Sequence, residues 1–250
     1  MAIKQKDFIE IDYTGKVKDD GYVFDTTDET TARKEELHNE EMTYGPVIIC
    51  VGEKHLVKGL DDAIVGKDIG EYDIDLIPEN AFGKKDAKLL KLIPTNVFIK
   101  QQISPMPGLQ VNMDGVVGTI RSVSGGRTFV DFNHPLSGKD ITYHIKIHRI
   151  IEDDKEKLEA VAKLQFGSKR TKVEVADGKA MIDIGIDVPE QIEEQIASKM
   201  KELIPGITEI KFKKQEKIEK KPDAAKAAEK AENAAEEAFE KELERDEPVD

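Results

Sequence analysis

The sequence predicts an α+β protein built on an antiparallel sheet and divided into modules, and three observations predict it. Apolar and polar residues alternate along "FIEIDY" and "ITYHIKIHRI", the period of two expected of strands with one buried face. Apolar residues at helical spacing follow a β-branched run in "VIICVGEKHLVKGLDDAIVG", so strand and short helix share one core. The texture then changes twice, after "AFG" and again after Glu152, which divides the chain into units.

Taken in order, residues 8 to 13 form the first strand, with Ile9, Ile11 and Tyr13 on one face and Phe8, Glu10 and Asp12 on the other. "KDDGY" is a turn and "VFD" opens a second strand. "TTDETTARKEELHNEEM" is too charged for a core and reads as an exposed loop or short surface helix. A third strand runs into a short buried helix carrying Leu56, Leu60, Ala63 and Ile64. "EYDIDLI" presents Tyr72, Ile74 and Leu76 on one face and stops at Pro78. The later strand "ITYHIKIHRI" turns Ile141, Tyr143, Ile145 and Ile147 inward and Thr142, His144, Lys146 and His148 outward.

Between "AFG" and that strand lie Pro94, Pro105, Pro107 and Pro135, with strands "GVVGTIRSV" and "TFVDF" joined at a tight "SGGR" turn. A self-contained β-rich insert fits this stretch better than a loop of the same length. From Glu152 a helix over about 154 to 165, two strands joined at "ADGK", an amphipathic helix carrying Ile192, Ile196, Met200 and Leu203, and a strand "TEIKF" make a compact α+β unit. The last stretch, rich in Ala, Glu and Lys, reads as a charged helical or disordered tail. Its alanines at 224, 228, 231, 235 and 238 make too narrow a stripe for a core, and a solvated helix fits better than a partner seam.

Bulk composition narrows the function. At 250 residues with 38% apolar content the chain can build real cores, and 51 acidic against 38 basic side chains give a net charge of -13. That charge repels phosphate backbones, so peptides or proteins are expected as partners and nucleic acid is not. A single cysteine, Cys50, makes no intrachain disulfide and sits in a β run as a small apolar residue. "MAIKQKDF" has no apolar signal core and no apolar run is long enough to span a bilayer, so a cytoplasmic protein without membrane contact is expected.

"YTG", "VFDTT", "VGEKHLVKGLDDAIVG" and "PENAFG" occur in the order and spacing of an FKBP-type peptidyl-prolyl cis-trans isomerase, and the chain resembles that family. The stretch after "AFG", closed by "NHPLSGKDITYHIKI", resembles the long, SlyD-like branch, and with the C-terminal unit the whole looks like an archaeal long-type FKBP. The resemblance implies an FKBP-like antiparallel sheet wrapped on a short helix over 1–84 and 138–152. It further implies an insert-in-flap chaperone domain over 85–137, a C-terminal α+β domain over 153–213 and a tail over 214–250. It carries pocket roles to Tyr13, Phe24, Asp25, Val47, Leu56, Val57, Leu60, Phe82 and Tyr143. Two positions depart from many members: Leu60 stands where a tryptophan floors the pocket, as is usual in the SlyD-like branch, and Phe82 stands where a tyrosine would offer a hydroxyl.

The implied chemistry suits these residues. Rotation about an X-Pro amide meets a barrier of roughly 18–20 kcal/mol from lost resonance and breaks no bond, so neither nucleophile, metal nor cofactor is required. A dry apolar wall disfavours the dipolar planar amide relative to the twisted one, and each tenfold gain needs about 1.4 kcal/mol of such discrimination. Asp25 accepts a hydrogen bond from Tyr13 or acts electrostatically on the twisting carbonyl; the plainer reading of an Asp after an aromatic is a turn residue. In the insert, Val97, Phe98, Ile99, Ile103, Met106 and Leu109 are candidates for binding unfolded, proline-containing chains, with only a subset exposed because the insert needs a core of its own. Adaptable Met106 and Met113 suit promiscuous contacts.

His144 and His148 share a strand face at even spacing, yet without a third ligand they read as solvated side chains rather than a metal site. Bacterial SlyD-like proteins often carry a nickel-binding tail rich in His and Cys, and this tail has neither. The main rival to an isomerase with chaperone activity is a holdase whose altered pocket no longer catalyses. A third reading makes the C-terminal unit and tail an assembly device that merely localises the isomerase domain, and a homodimer through the C-terminal domain is a candidate assembly.

Overall fold

The computed structural model describes residues 2–167, 171–185 and 188–213. The expected charged tail, 214–250, lies outside the described residues.

Ten-residue β1 (Phe8–Val17) organises the first sheet, together with β2 (Val23–Thr26), β3 (Val47–Cys50), β4 (Gly70–Leu76) and β9 (Ile141–Ile151). β1 pairs antiparallel with β9 along its whole length, and on its other edge with β3 at its start and β2 at its end. β4 closes the far side of β9. The charged stretch after β2 forms a short helix, α1 (Glu29–Lys34), capped by the Asp28 side chain accepting from the Thr31 amide. α2 (Lys58–Ile64) lies on one face of the sheet, with Leu60 and Ile64 fully buried among Ile9, Ile11, Ile145 and Ile147. It comes close to the 3₁₀ turn Pro78–Asn80 because Gly59 has no Cβ, which would stand 2.5 Å from the Asn80 carbonyl oxygen. Asp61, in "GLDD", is buried and accepts from the amides of Gly52 and Lys54, so it organises the turn before the helix.

A second sheet follows β4. Strands β5 (Leu90–Pro94), β6 (Gln110–Met113), β7 (Val116–Ser124) and β8 (Arg127–Asp131) take the order β5-β8-β7-β6, all antiparallel. The expected glycine turn joins β7 to β8, with Gly125 and Gly126 both at positive φ. α3 (Thr95–Lys100) places Phe98 in a small core with Val111, Ile120 and Val130.

The third unit carries α4 (Asp154–Phe166), β10 (Lys172–Ala176), β11 (Lys179–Asp183), α5 (Glu190–Leu203) and β12 (Glu209–Phe212). β11 is central, antiparallel to β10 and parallel to β12. Its core does not end at Glu152: Leu158, Ala162, Ile182 and Met200 pack in one cluster with Phe8, Cys50 and Ile151. The face of β1 that the alternation pattern leaves to Phe8 and its polar neighbours is therefore covered at the Phe8 end, and Phe8 and Ile9 are both buried on opposite sides. Arg149 reinforces the junction by donating to Glu10 and to Glu156. Cys50 is fully buried there, its thiol pushed up to about 12 chiefly by burial.

Candidate active site

Five elements and the loops beside them supply the nine candidate pocket residues. Tyr13 comes from β1, Phe24 and Asp25 from β2, Val47 from β3, Leu60 from α2 with Leu56 and Val57 just before it, Phe82 from the loop after β4, and Tyr143 from β9. Leu60 and Tyr143 belong to the buried core, and Tyr13, Phe24, Val47, Leu56, Val57 and Phe82 are half-buried against it. The result is an apolar patch of half-buried side chains packed on the core beneath.

The aromatics meet edge to face. Phe24 and Tyr143 stand 5.7 Å apart at 89°, Phe24 and Phe82 5.5 Å apart at 88°, and Tyr13 and Tyr143 6.1 Å apart at 65°. Sequence reasoning used "YTG" as a marker and missed what its glycine does. A Cβ on Gly15 would lie 2.6 Å from Phe24 Cζ and 2.8 Å from Tyr143 Cε1, so the two rings converge over bare backbone. The β1–β2 register also shifts at Gly15, which inserts Phe24 as the extra residue of a bulge.

Asp25 is half-buried and its side chain accepts from the Tyr13 hydroxyl at 3.2 Å. Burial raises its pKa above the ordinary carboxylate value, opposed by the hydrogen bonds from Tyr13 and the Thr26 amide. Burial also raises the Tyr13 and Tyr143 phenols, with the Asp25 charge adding to each, so Tyr13 stays a donor at neutral pH. The threonines after Asp25 fix this corner: Thr27 Oγ1 accepts from the Tyr13 amide and donates to Asp12, and the hydroxyls of Thr14 and Thr26 lie 2.8 Å apart.

The insert candidates divide. Ile99 and Met106 are exposed, at 63% and 55%. Phe98 is 1% exposed, which removes it from any contact surface, and Ile103 and Leu109 pack against the same small core. Val97 is half-buried. Leu92, Val116 and Val117 are exposed beyond what sequence reasoning named; Val116 and Val117 are neighbours at the start of β7 and point to opposite faces, and alternation along a strand does not say where both faces end uncovered. His144 pairs with Asp73 at 2.8 Å and His148 with Asp12 at 2.7 Å, so each answers a different carboxylate. Among the described residues no helix is long and apolar enough to cross a membrane.

Comparison with known proteins gives this geometry a context. A family model described as "FKBP-type peptidyl-prolyl cis-trans isomerase" matches residues 1–100, and one described as "FKBP26, IF domain" matches residues 91–136. The short-type peptidyl-prolyl cis-trans isomerase of Methanocaldococcus jannaschii is 31% identical over 149 residues, covering 59% of this chain and 94% of that protein. The chain belongs to the FKBP-type peptidyl-prolyl isomerase family. A probable FKBP-type 16 kDa isomerase of Pseudomonas fluorescens is 30% identical over 108 residues, 41% of this chain and 71% of that protein. The SlyD isomerase of Helicobacter pylori is 28% identical over 119 residues, 45% of this chain and 63% of that protein. The activity of this FKBP is therefore peptidyl-prolyl cis-trans isomerisation, with proline-containing polypeptides as substrates.

Proposed function

We propose that this FKBP isomerises X-Pro bonds on the surface formed by Phe24, Val47, Leu56, Val57, Leu60, Phe82 and Tyr143, with Tyr13 and Asp25 at its rim. The observation that carries this reading is the packing of half-buried aromatic edges on a single core around Leu60, beside a hydrogen-bonded Tyr13–Asp25 pair. Such a surface strips water from the amide and leaves the planar, dipolar form poorly solvated, which lowers the climb to the twisted state. Phe82 can offer contact but no hydroxyl, so polar contact with the substrate falls to backbone groups and to the Tyr13–Asp25 rim. Asp25 acts through its field and by orienting Tyr13, and no proton needs to move in the reaction.

We further infer that the four-stranded sheet is an insert-in-flap module that holds unfolded chains beside the pocket, which would place the protein among the long-type archaeal FKBPs. The match of residues 91–136 to the IF-domain model and the exposed Leu92, Ile99, Met106, Val116 and Val117 support this. Replacing residues 91–130 with a short turn tests it, since Leu90 and Asp131 are direct partners across β5 and β8 and the gap is short. The shortened protein should keep its rate on a short X-Pro peptide while proline-limited refolding of a whole protein slows by about tenfold or more, because a long chain loses its second point of attachment. Equal losses on both substrates would remove the chaperone assignment.

A further inference from the structure

Leu56 and Val57 end the loop that runs from β3 to α2, and little in their own backbone fixes them. Neither donates its amide to a backbone carbonyl among the described residues. Val57 is the N-cap residue of α2 and makes no side-chain cap bond. The first half of the loop is fastened: Gly52 and Lys54 take positive φ, and both donate their amides to Asp61, at 2.8 and 3.4 Å. Beyond Lys54 that support ends, and the loop must still deliver two apolar side chains to the wall.

His55 supplies a second fastening. The Cys50 amide donates to its Nδ1 at 3.2 Å, which ties the loop back to the strand that it leaves. Strand geometry makes that amide available. Val51 donates to the Asp7 carbonyl, so the alternation of β3 turns the groups of Val47, Ile49 and Val51 toward β1 and leaves the Cys50 amide on the opposite edge. No strand pairs that edge among the described residues, and Cys50 is fully buried, so without His55 its amide would lack a partner. An amide only donates, so Nδ1 carries the lone pair and the imidazole is neutral, with its proton on Nε2. Burial holds the ring below the ordinary histidine pKa, which the charges of Glu53 and Asp61 oppose and that of Lys199 assists. The acceptor therefore persists at neutral pH.

The anchor point belongs to the core that the C-terminal unit shares. Cys50 is packed with Leu158, Ala162 and Met200, and Lys199 of α5 reaches Glu53 of the loop at 2.7 Å, where the Glu53 side chain is only 15% exposed.

We propose that His55 is a positioning residue for the isomerase reaction: by accepting from the Cys50 amide it holds Leu56 and Val57 in place as pocket wall, on a strand that the C-terminal unit backs. The inference rests on the reading of Leu56 and Val57 as wall. A loop released at His55 must be ordered again each time a substrate binds, and that cost falls equally on the bound ground state and the transition state. It raises KM and leaves kcat. A residue that served stability alone would do the opposite, since an unfolded fraction lowers the apparent kcat and leaves KM unchanged.

Three single variants of the full chain, His55→Phe, His55→Asn and Val57→Ala, test this through KM and kcat on a short X-Pro peptide, below the Tm of each. His55→Phe keeps a flat ring without the acceptor; His55→Asn keeps an acceptor oxygen at the distance of Nδ1 without the ring. The expected result is a KM about five- to tenfold higher with kcat within about twofold of the parent for His55→Phe, and both constants within about twofold for His55→Asn. A parent KM in His55→Phe, or a His55→Asn as impaired as His55→Phe, would overturn the proposal. If Val57→Ala is impaired while His55→Phe is normal, the positioning role alone falls; if Val57→Ala itself keeps the parent constants, the pocket reading at this edge falls and the proposal with it.

Discussion

Asp25→Ala separates chemistry from packing at the rim of the proposed isomerase surface, and the surroundings of the carboxylate set its magnitude. The carboxylate is half-buried, and the raised pKa means that on balance its charge is disfavoured where it stands. Removing it relieves that cost. It also strands the Tyr13 hydroxyl, whose partner at 3.2 Å is lost, and an unpaired buried polar group costs about 1–3 kcal/mol. The two contributions oppose each other, so the variant should lie within about 1 kcal/mol of the parent in urea unfolding while kcat/KM on a short X-Pro peptide falls by about tenfold or more. Leu60→Ala is the counterpart: a fully buried leucine at the centre of the core should cost about 2–5 kcal/mol of stability along with activity. A strongly destabilised Asp25→Ala whose folded fraction keeps the full rate would refute the argument and make Asp25 a turn residue.

The pH dependence carries the same logic with a definite sign. A carboxyl whose folded pKa lies above its unfolded value binds more protons in the native state, so across that window the parent loses stability as pH rises, relative to Asp25→Asn. Its activity should move the other way and fall as pH drops through the raised pKa, and parallel pH curves would exclude a role for the ionised form. Gly15→Ala should push Phe24 and Tyr143 aside, given approaches of 2.6 and 2.8 Å, costing about 1–3 kcal/mol and most of the activity; near-parent kinetics would show that the rings can part without consequence. Truncation after Glu152 should expose Phe8, Cys50 and Ile151 and drive the remaining protein to aggregate or unfold, which a soluble, cooperatively unfolding 1–152 fragment would contradict.

Much of this protein was legible in order and period alone. Alternation along "ITYHIKI" identifies a strand with Tyr143 inward, because a strand has only two faces and one carries Ile141, Tyr143, Ile145 and Ile147. Local turn chemistry placed the β7–β8 hairpin, where two glycines take the positive φ that the turn demands. The ordered motifs pointed to the residues that the fold gathers around Leu60.

Tertiary structure alone decided the rest. A period of two cannot say that Phe8 faces another module rather than water, since burial depends on what packs there. Nor can it assign Phe98 to a core and Ile99 to the surface when both are apolar neighbours in one short helix. The space over Gly15 and the stack of His134 on Phe82, fifty-two positions along the chain (134 − 82), depend on contacts between distant segments. Sequence determines local conformation through propensities and patterns of a few residues, whereas a binding surface is set by which distant segments meet, and only the packed chain supplies that information.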